Sequence, residues 1–191
     1  MRKRHARAAS FIVFAVVAGM VVVLDRLTKG LAVGALSGGR AQAVIPGVVD
    51  FQLVYNTGAA WGMFEGARAL FLVIAAVAVL AMVFYLLLGG RHAAFTLLGL
   101  GFIAGGAVGN AIDRALTGKV VDFIHTLFID FPLFNVADSA ITVGAILFVA
   151  ALLFGEGGMG RRAPETVPDS AEAATDEPNA SADEEPRNAP L

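Results

Sequence analysis

Residues 104–138 read AGGAVGNAIDRALTGKVVDFIHTLFIDFPLFNVAD. The stretch opens as an apolar helix of small residues, breaks into a polar turn, passes through an extended apolar segment, and ends where another apolar helix begins. Four carboxylates fall in it: Asp113, Asp122, Asp130 and Asp138. In a chain that is mostly hydrocarbon, acids at the ends of membrane spans are costly and call for a function.

The surroundings are hydrocarbon indeed. Of 191 residues 57% are hydrophobic, and the mean hydropathy is +0.73, well beyond a soluble domain's balance. Several long apolar runs predict a polytopic membrane protein rather than a globule. A basic N-terminus (1–10) precedes a run from Phe11 to Leu24 that can continue as a helix to about Leu36. A secretory signal peptide cut near Ala35-Leu36-Ser37 is the alternative. Asp25, Arg26 and Lys29 would then lie between the apolar region and the cut, so an uncleaved first span is the better reading.

Ala69–Leu88 is an apolar run long enough to cross a bilayer. Gly89-Gly90-Arg91-His92 reads as a tight turn, Ala93–Gly109 as a glycine-rich third span suited to close packing, and Ser139–Phe154 as the core of a fourth. Between spans one and two, Val49, Phe51, Leu53 and Tyr55 alternate with Asp50, Gln52 and Val54, a strand pattern with one apolar face. Asn56-Thr57-Gly58 ends that strand, and Trp61 and Phe64 suit a membrane interface. The expected fold is an all-α integral membrane protein of four transmembrane helices over 11–154, with a small extracytoplasmic β element at about 44–66.

The net charge of -2 hides an asymmetry. From Glu156 onward there are nine acids and three bases, against seven acids and eleven bases before it. The tail, 155–191, is therefore acidic, rich in Pro and Ala, and reads as disordered and cytoplasmic. Arg2, Lys3, Arg4, Arg7, Arg91, Arg161 and Arg162 fall on one side of the membrane, and Arg40, Arg68, Arg114 and Lys119 on the other. That bias predicts both termini in the cytoplasm and the acid-bearing loops outside.

With no cysteine, disulfides, thiolate catalysis and cysteine metal sites are excluded. Only His125 of the three histidines faces outward and no HExxH occurs, so neither a metal nor another cofactor is expected. Ser139 with Lys119 or Lys29 supplies the parts of a Ser–Lys dyad. Adjacent to Asp138 on a helix, however, Ser139 points about 100° away from it.

The acids fit a different chemistry. Asp25 and Lys29, four apart, share a helix face and can pair, which alone reads as a helix anchor. Asn110, Asp113 and Arg114 share another face, where Asp113 beside Arg114 reads first as a structural pair. Asp122 sits among Val120, Val121, Phe123 and Ile124, and burial there favours the neutral acid. Asn135 suits a helix N-cap, with Asp138 in the first turn where the helix dipole favours a carboxylate. Two carboxyls in dissimilar environments are what general acid–base hydrolysis requires.

Five short motifs stand in order: Asp25-Arg26-Leu27-Thr28-Lys29, Asn56 to Gly62 (NTGAAWG), Gly105 to Arg114 (GGAVGNAIDR), Val120-Val121-Asp122-Phe123 and Phe134 to Asp138 (FNVAD). On these the chain resembles signal peptidase II, the bacterial lipoprotein signal peptidase family, over residues 11–154. The resemblance implies an aspartic peptidase without metal or cofactor, with Asp122 and Asp138 catalytic. It implies a supporting set of Asp25, Lys29, Asn56, Gly106, Asn110, Asp113, Arg114 and Asn135, with Gly106 allowing close backbone approach. It implies a substrate, a prolipoprotein whose lipobox cysteine carries diacylglycerol, cut before that cysteine. The setting would be the bacterial cell membrane, with lipid as the other partner, no nucleic acid, and a monomer. Trp61 stands where the family often has Phe, and the acidic tail is outside the family pattern. Two other classes compete: a small transporter or proton relay through Asp25, Asp113 and Asp138, and a non-catalytic assembly factor whose acids only hold helices together.

Overall fold

The computed structural model describes residues 2–59, 61, 63–88 and 92–154, with backbone alone for 2–6. The tail from 155, the turn over 89–91, and positions 60 and 62 of the NTGAAWG stretch lie outside the described residues. Four helices, α1 (Arg2–Leu36), α2 (Arg68–Leu88), α3 (Ala94–Thr117) and α4 (Val136–Phe154), are each long and apolar enough to cross a membrane. Three antiparallel strands, β1 (Gln42–Ile45), β2 (Val49–Asn56) and β3 (Val120–Thr126), form one small sheet in that order.

On α1 the buried positions are Ser10, Phe14, Val17, Val21, Asp25, Lys29, Ala32 and Leu36. Steps of three and four make one helical stripe, so Asp25 and Lys29 lie on the same face as the apolar contacts. α3 is the most buried span and α2 the least. That order follows from their sequences, because without a hydrophobic force between helices, small residues decide which one sits at the centre. α3 supplies them. A Cβ at Gly101 or Gly105 would strike Val17 or Val21 of α1, and one at Gly99 would strike the Gly144 carbonyl of α4. At Gly106 it would fall on the Ala137 carbonyl.

Span three reaches further than expected. It does not stop near Gly109 but continues two turns to Thr117, where Gly118 (φ 77°) caps it in the left-handed region. Asn110, Asp113 and Arg114 are thus interior helix positions. Their polarity mimics the end of a span in the sequence; in the fold Asn110 and Asp113 find partners on other elements, and Arg114 reaches the Gly58 carbonyl.

The β element also departs from 44–66. It begins at Gln42, the described residues among 57–66 lie in bends and turns, and the third strand comes from the α3–α4 connection. β2 carries one extra residue between Phe51 and Val54, so Val54 faces Asp122 and Asn56 faces Val120. A one-residue bulge exchanges the two faces of a strand. Phe51 and Leu53 pack against buried Phe123, Ala32 and Leu36, while Tyr55, expected on the same apolar face, is exposed. Beyond β3, Phe134 pairs with Ile124 through backbone bonds of 2.8 and 3.1 Å. This pairing delivers the start of α4 to Asp122.

Candidate active site

Asp122 comes from β3 and Asp138 from the first turn of α4, and Asn135 joins them. Asn135 is fully buried; its Nδ2 donates to Asp122 Oδ1 at 2.7 Å, and its backbone N–H donates to Asp138 Oδ2 at 3.1 Å. The Asp138 N–H returns a bond to Asn135 Oδ1 at 3.1 Å. Each residue thus caps the other, so the N-cap expected of Asn135 and the first-turn position expected of Asp138 are both present.

Asp122 is buried, and Asn56 Nδ2 donates to its Oδ2 at 2.9 Å. Asn56 is held in that orientation because its Oδ1 accepts the Gly58 N–H at 2.8 Å, an Asx turn. Burial, with the neighbouring Asp138 charge adding to it, pushes the Asp122 carboxyl up to about 6, while the Asn56 and Asn135 amides pull the other way. The cause is desolvation of the charged form.

Behind the pair lies a buried ionic cluster. Lys29 Nζ sits 2.9 Å from Asp25 Oδ2 and 2.8 Å from Asp113 Oδ2, which realises the Asp25–Lys29 pair expected from spacing. Asp113 does not pair with Arg114 as expected. Its other partner is Arg26 at 2.6 Å, which also reaches Asp25 at 3.1 Å. Arg114 turns away, donating to the Gly58 carbonyl at 2.8 Å with its guanidinium 4.3 Å from the Phe71 ring centre. One helix step separates Asp113 and Arg114 by about 100°, which sends neighbours to different faces. Asp25 also accepts the Ala137 N–H at 3.2 Å, tying α1 to the start of α4. Gly109 makes room for it, since a Cβ there would lie 2.6 Å from Asp25 Oδ2. Asn110 links cluster and pair: it accepts from Lys29 at 2.8 Å and donates to Asp138 Oδ1 at 2.7 Å.

All eight supporting residues therefore converge around the two aspartates. Arg26 escaped the sequence reading, although it lies inside the DRLTK motif. Its partner Asp113 is far along the chain, and no spacing rule connects them. A cavity of about 500 Å³ opens on the pair, with Asp122, Asp138, Asn56, Asn110 and Arg114 in its wall. Its remaining lining includes Phe131, Pro132, Leu133, Phe134 and Val143, an apolar channel leading to two carboxyls. Ser139 Oγ is engaged by the Asn135 carbonyl at 3.0 Å, and all three Lys29 N–H bonds are committed elsewhere, so the Ser–Lys alternative has no support. Among the described residues no group of three or more His, Asp or Glu is placed to hold a metal ion.

Four spans with two carboxyls bordering one cavity define a polytopic membrane protein that holds the parts of an acid–base site. The sequence model of the family described as signal peptidase (SPase) II matches residues 17–154, and the chain belongs to that family. Lipoprotein signal peptidases of Staphylococcus aureus strains MRSA252 and JH9 are each 38% identical over 139 residues, covering 72% of this chain and 85% of theirs. A bacterial membrane enzyme solved by the in meso method at 2.3 Å superposes with a TM-score of 0.67 at 36% identity, covering 76% of this chain and 88% of its own. A second, at 1.9 Å, gives 0.67 at 37% identity, covering 77% and 94%. Removal of lipoprotein signal peptides in a bacterial membrane is the activity that membership carries. The proton-relay alternative is not favoured: Asp25, Asp113, Asp122 and Asp138 gather at one end of the bundle, whereas a relay needs groups across it.

Proposed function

We propose that the chain is an aspartic endopeptidase that cuts diacylglyceryl-modified prolipoproteins before the lipidated cysteine, with Asp122 and Asp138 as the catalytic pair. The observation that carries this reading is that both carboxyls border one cavity and are tied together through Asn135. Asp138, facing two donors in the first turn of α4, takes a proton from water as the water attacks the scissile carbonyl. Asp122, whose carboxyl burial pushes up to about 6 so that it keeps a proton to higher pH than an ordinary carboxylate, gives that proton to the carbonyl oxygen. In the second step Asp138 returns its proton to the departing amine of the cysteine, and Asp122 recovers one from the tetrahedral diol, so the pair is restored. The apolar lining from Phe131, Leu133 and Val143 suits the lipid and the signal helix.

The charge bias favours both termini in the cytoplasm and the site toward the extracytoplasmic face. The protein acts as a monomer in this reading, since one chain supplies both carboxyls and the lining residues around them. The test is cleavage of a diacylglyceryl prolipoprotein by the purified full chain. Cleavage should persist under strong chelation and depend on both aspartates; loss on chelation would overturn the metal-free mechanism.

A further inference from the structure

Three N–H bonds meet three acceptors at Lys29. Its ammonium, 3% exposed, reaches Asp25 Oδ2, Asp113 Oδ2 and Asn110 Oδ1, all within 2.9 Å. An ammonium only donates, so the amide of Asn110 must present its oxygen to it. Asn135 Nδ2 donates to that same oxygen at 3.1 Å. With the oxygen held from two sides, the Asn110 NH₂ can point only at Asp138 Oδ1, 2.7 Å away. The other Asp138 oxygen accepts a backbone N–H, that of Asn135. Both oxygens of Asp138 thus face donors that cannot turn round.

Asp122 differs in the origin of its donors. The amides of Asn56 and Asn135 that reach it accept on their oxygens from neutral backbone N–H groups, those of Gly58 and Asp138, while the Asn135 nitrogen also donates to the Asn110 oxygen and the Val121 carbonyl. Only the branch ending on Asp138 starts at a cation, and a bond to a charged group is the stronger kind.

We propose that Lys29, acting through the locked amide of Asn110, is the positioning residue that decides which aspartate of the pair is charged: it holds Asp138 as the carboxylate and leaves the proton to Asp122. The inference rests on the aspartic reading of the site and adds the device that breaks its symmetry. The charged groups around the pair are Asp25, Arg26 and Lys29 from α1 and Asp113 and Arg114 from α3. Exchanging Asp25 and Lys29 together for neutral amides leaves the net charge of this cluster unchanged, so it isolates the direction of the hydrogen bonds.

Two variants of the full chain test this, Asp25→Asn/Lys29→Gln and Asn110→Leu, with kcat/KM for a lipidated prolipoprotein followed against pH. Each should move the acidic limb up by about one pH unit, a tenfold loss of rate at its foot, and leave the alkaline limb in place. An unmoved acidic limb in both, or movement of the alkaline limb alone, overturns the proposal. Should both variants fail to fold, infrared spectra with Lys29 and Asn110 intact still decide. Measured against the Asp122→Asn/Asp138→Asn double variant, Asp122→Asn should show no protonated-carboxyl band at pH 7. A protonated Asp138 there would refute the proposal. The infrared arm needs no substrate, so it also decides if the unaltered chain cleaves nothing, an outcome that would sink the peptidase reading instead.

Discussion

Asn135 and Asp138 cap each other: each backbone N–H is bound by the other's side-chain oxygen at 3.1 Å. The cap and one of the two proposed catalytic carboxyls are therefore the same atoms. Helix α4 cannot begin where it does without presenting Asp138 to the cavity, and this separates two substitutions that would otherwise be read alike.

Asp138→Asn keeps an oxygen for the Asn135 N–H but cannot take a proton. It should fold like the parent and lose about 10²–10⁴-fold in turnover, the usual share of general acid–base catalysis. Asp138→Ala should lose the same activity and, in addition, about 1 kcal/mol of stability through the missing cap. Turnover and thermal unfolding measured on both proteins separate the two losses. Equal stability of the two would show that the cap contributes nothing.

Asp122 allows a prediction in which activity and stability move in opposite directions. Its folded-state carboxyl sits at about 6, above its ordinary 3.8. Between those values the folded protein binds the proton more than the unfolded chain, so stability falls as pH rises through that window. Above about 6 the folded state carries the full cost of a buried carboxylate. Asp122→Asn removes that cost, and should unfold at a higher temperature than the parent at pH 8 while being catalytically dead. At pH 4 the advantage should vanish. A variant less stable at pH 8 than the parent would mean that the lost hydrogen bonds to Asn56 and Asn135 outweigh desolvation.

The four spans were legible because a water-soluble fold has little use for an apolar run of bilayer length. Gly106 could be placed by resemblance, and its contact with Ala137 supplies the reason. What the sequence hid was tertiary. Asp113 looks like the partner of its neighbour Arg114, and only the packing of α1 on α3 reveals Arg26 and Lys29 beside it. The extra residue in β2 has no signature either. Strict alternation puts Tyr55 inside, and pairing with β3 is needed to see that the faces exchange.

The glycines of the bundle should divide sharply. Gly106→Ala places a methyl group on the Ala137 carbonyl, backbone that cannot swing aside, and forces α3 from α4 just below Asp138. Overpacking of this kind costs about 1–3 kcal/mol, and the displaced α4 should lower turnover as well. Gly34→Ala, with nothing within 4 Å, should be neutral or mildly stabilising. Thermal unfolding and turnover of the two variants provide the comparison, and a harmless Gly106→Ala would contradict the close helix approach.

Orientation has a direct check. A reporter active only outside the cytoplasm should work when fused after Arg40 or Lys119 and fail after Arg91 or Arg161. The reverse pattern would move the site to the cytoplasmic face and remove it from any translocated substrate.

The bulge in β2 leads to a prediction about pH. Because Val54 rather than Leu53 stands opposite Asp122, Asn56 lies on the same face of the sheet, and its amide reaches Asp122 Oδ2. That bond stabilises the ionised carboxyl and so opposes the upward push of burial. Removing it by Asn56→Leu should raise the Asp122 value above about 6 and keep the acid neutral to higher pH. If neutral Asp122 is the proton donor, the alkaline limb of kcat/KM must then move up while the acidic limb, set by Asp138, stays put. The maximum rate should also fall, since Asn56 no longer aligns the donor. A downward move of the alkaline limb in a folded Asn56→Leu protein would mean that the Asp122 charge, not its proton, is what catalysis uses, and the two aspartates would have to exchange roles.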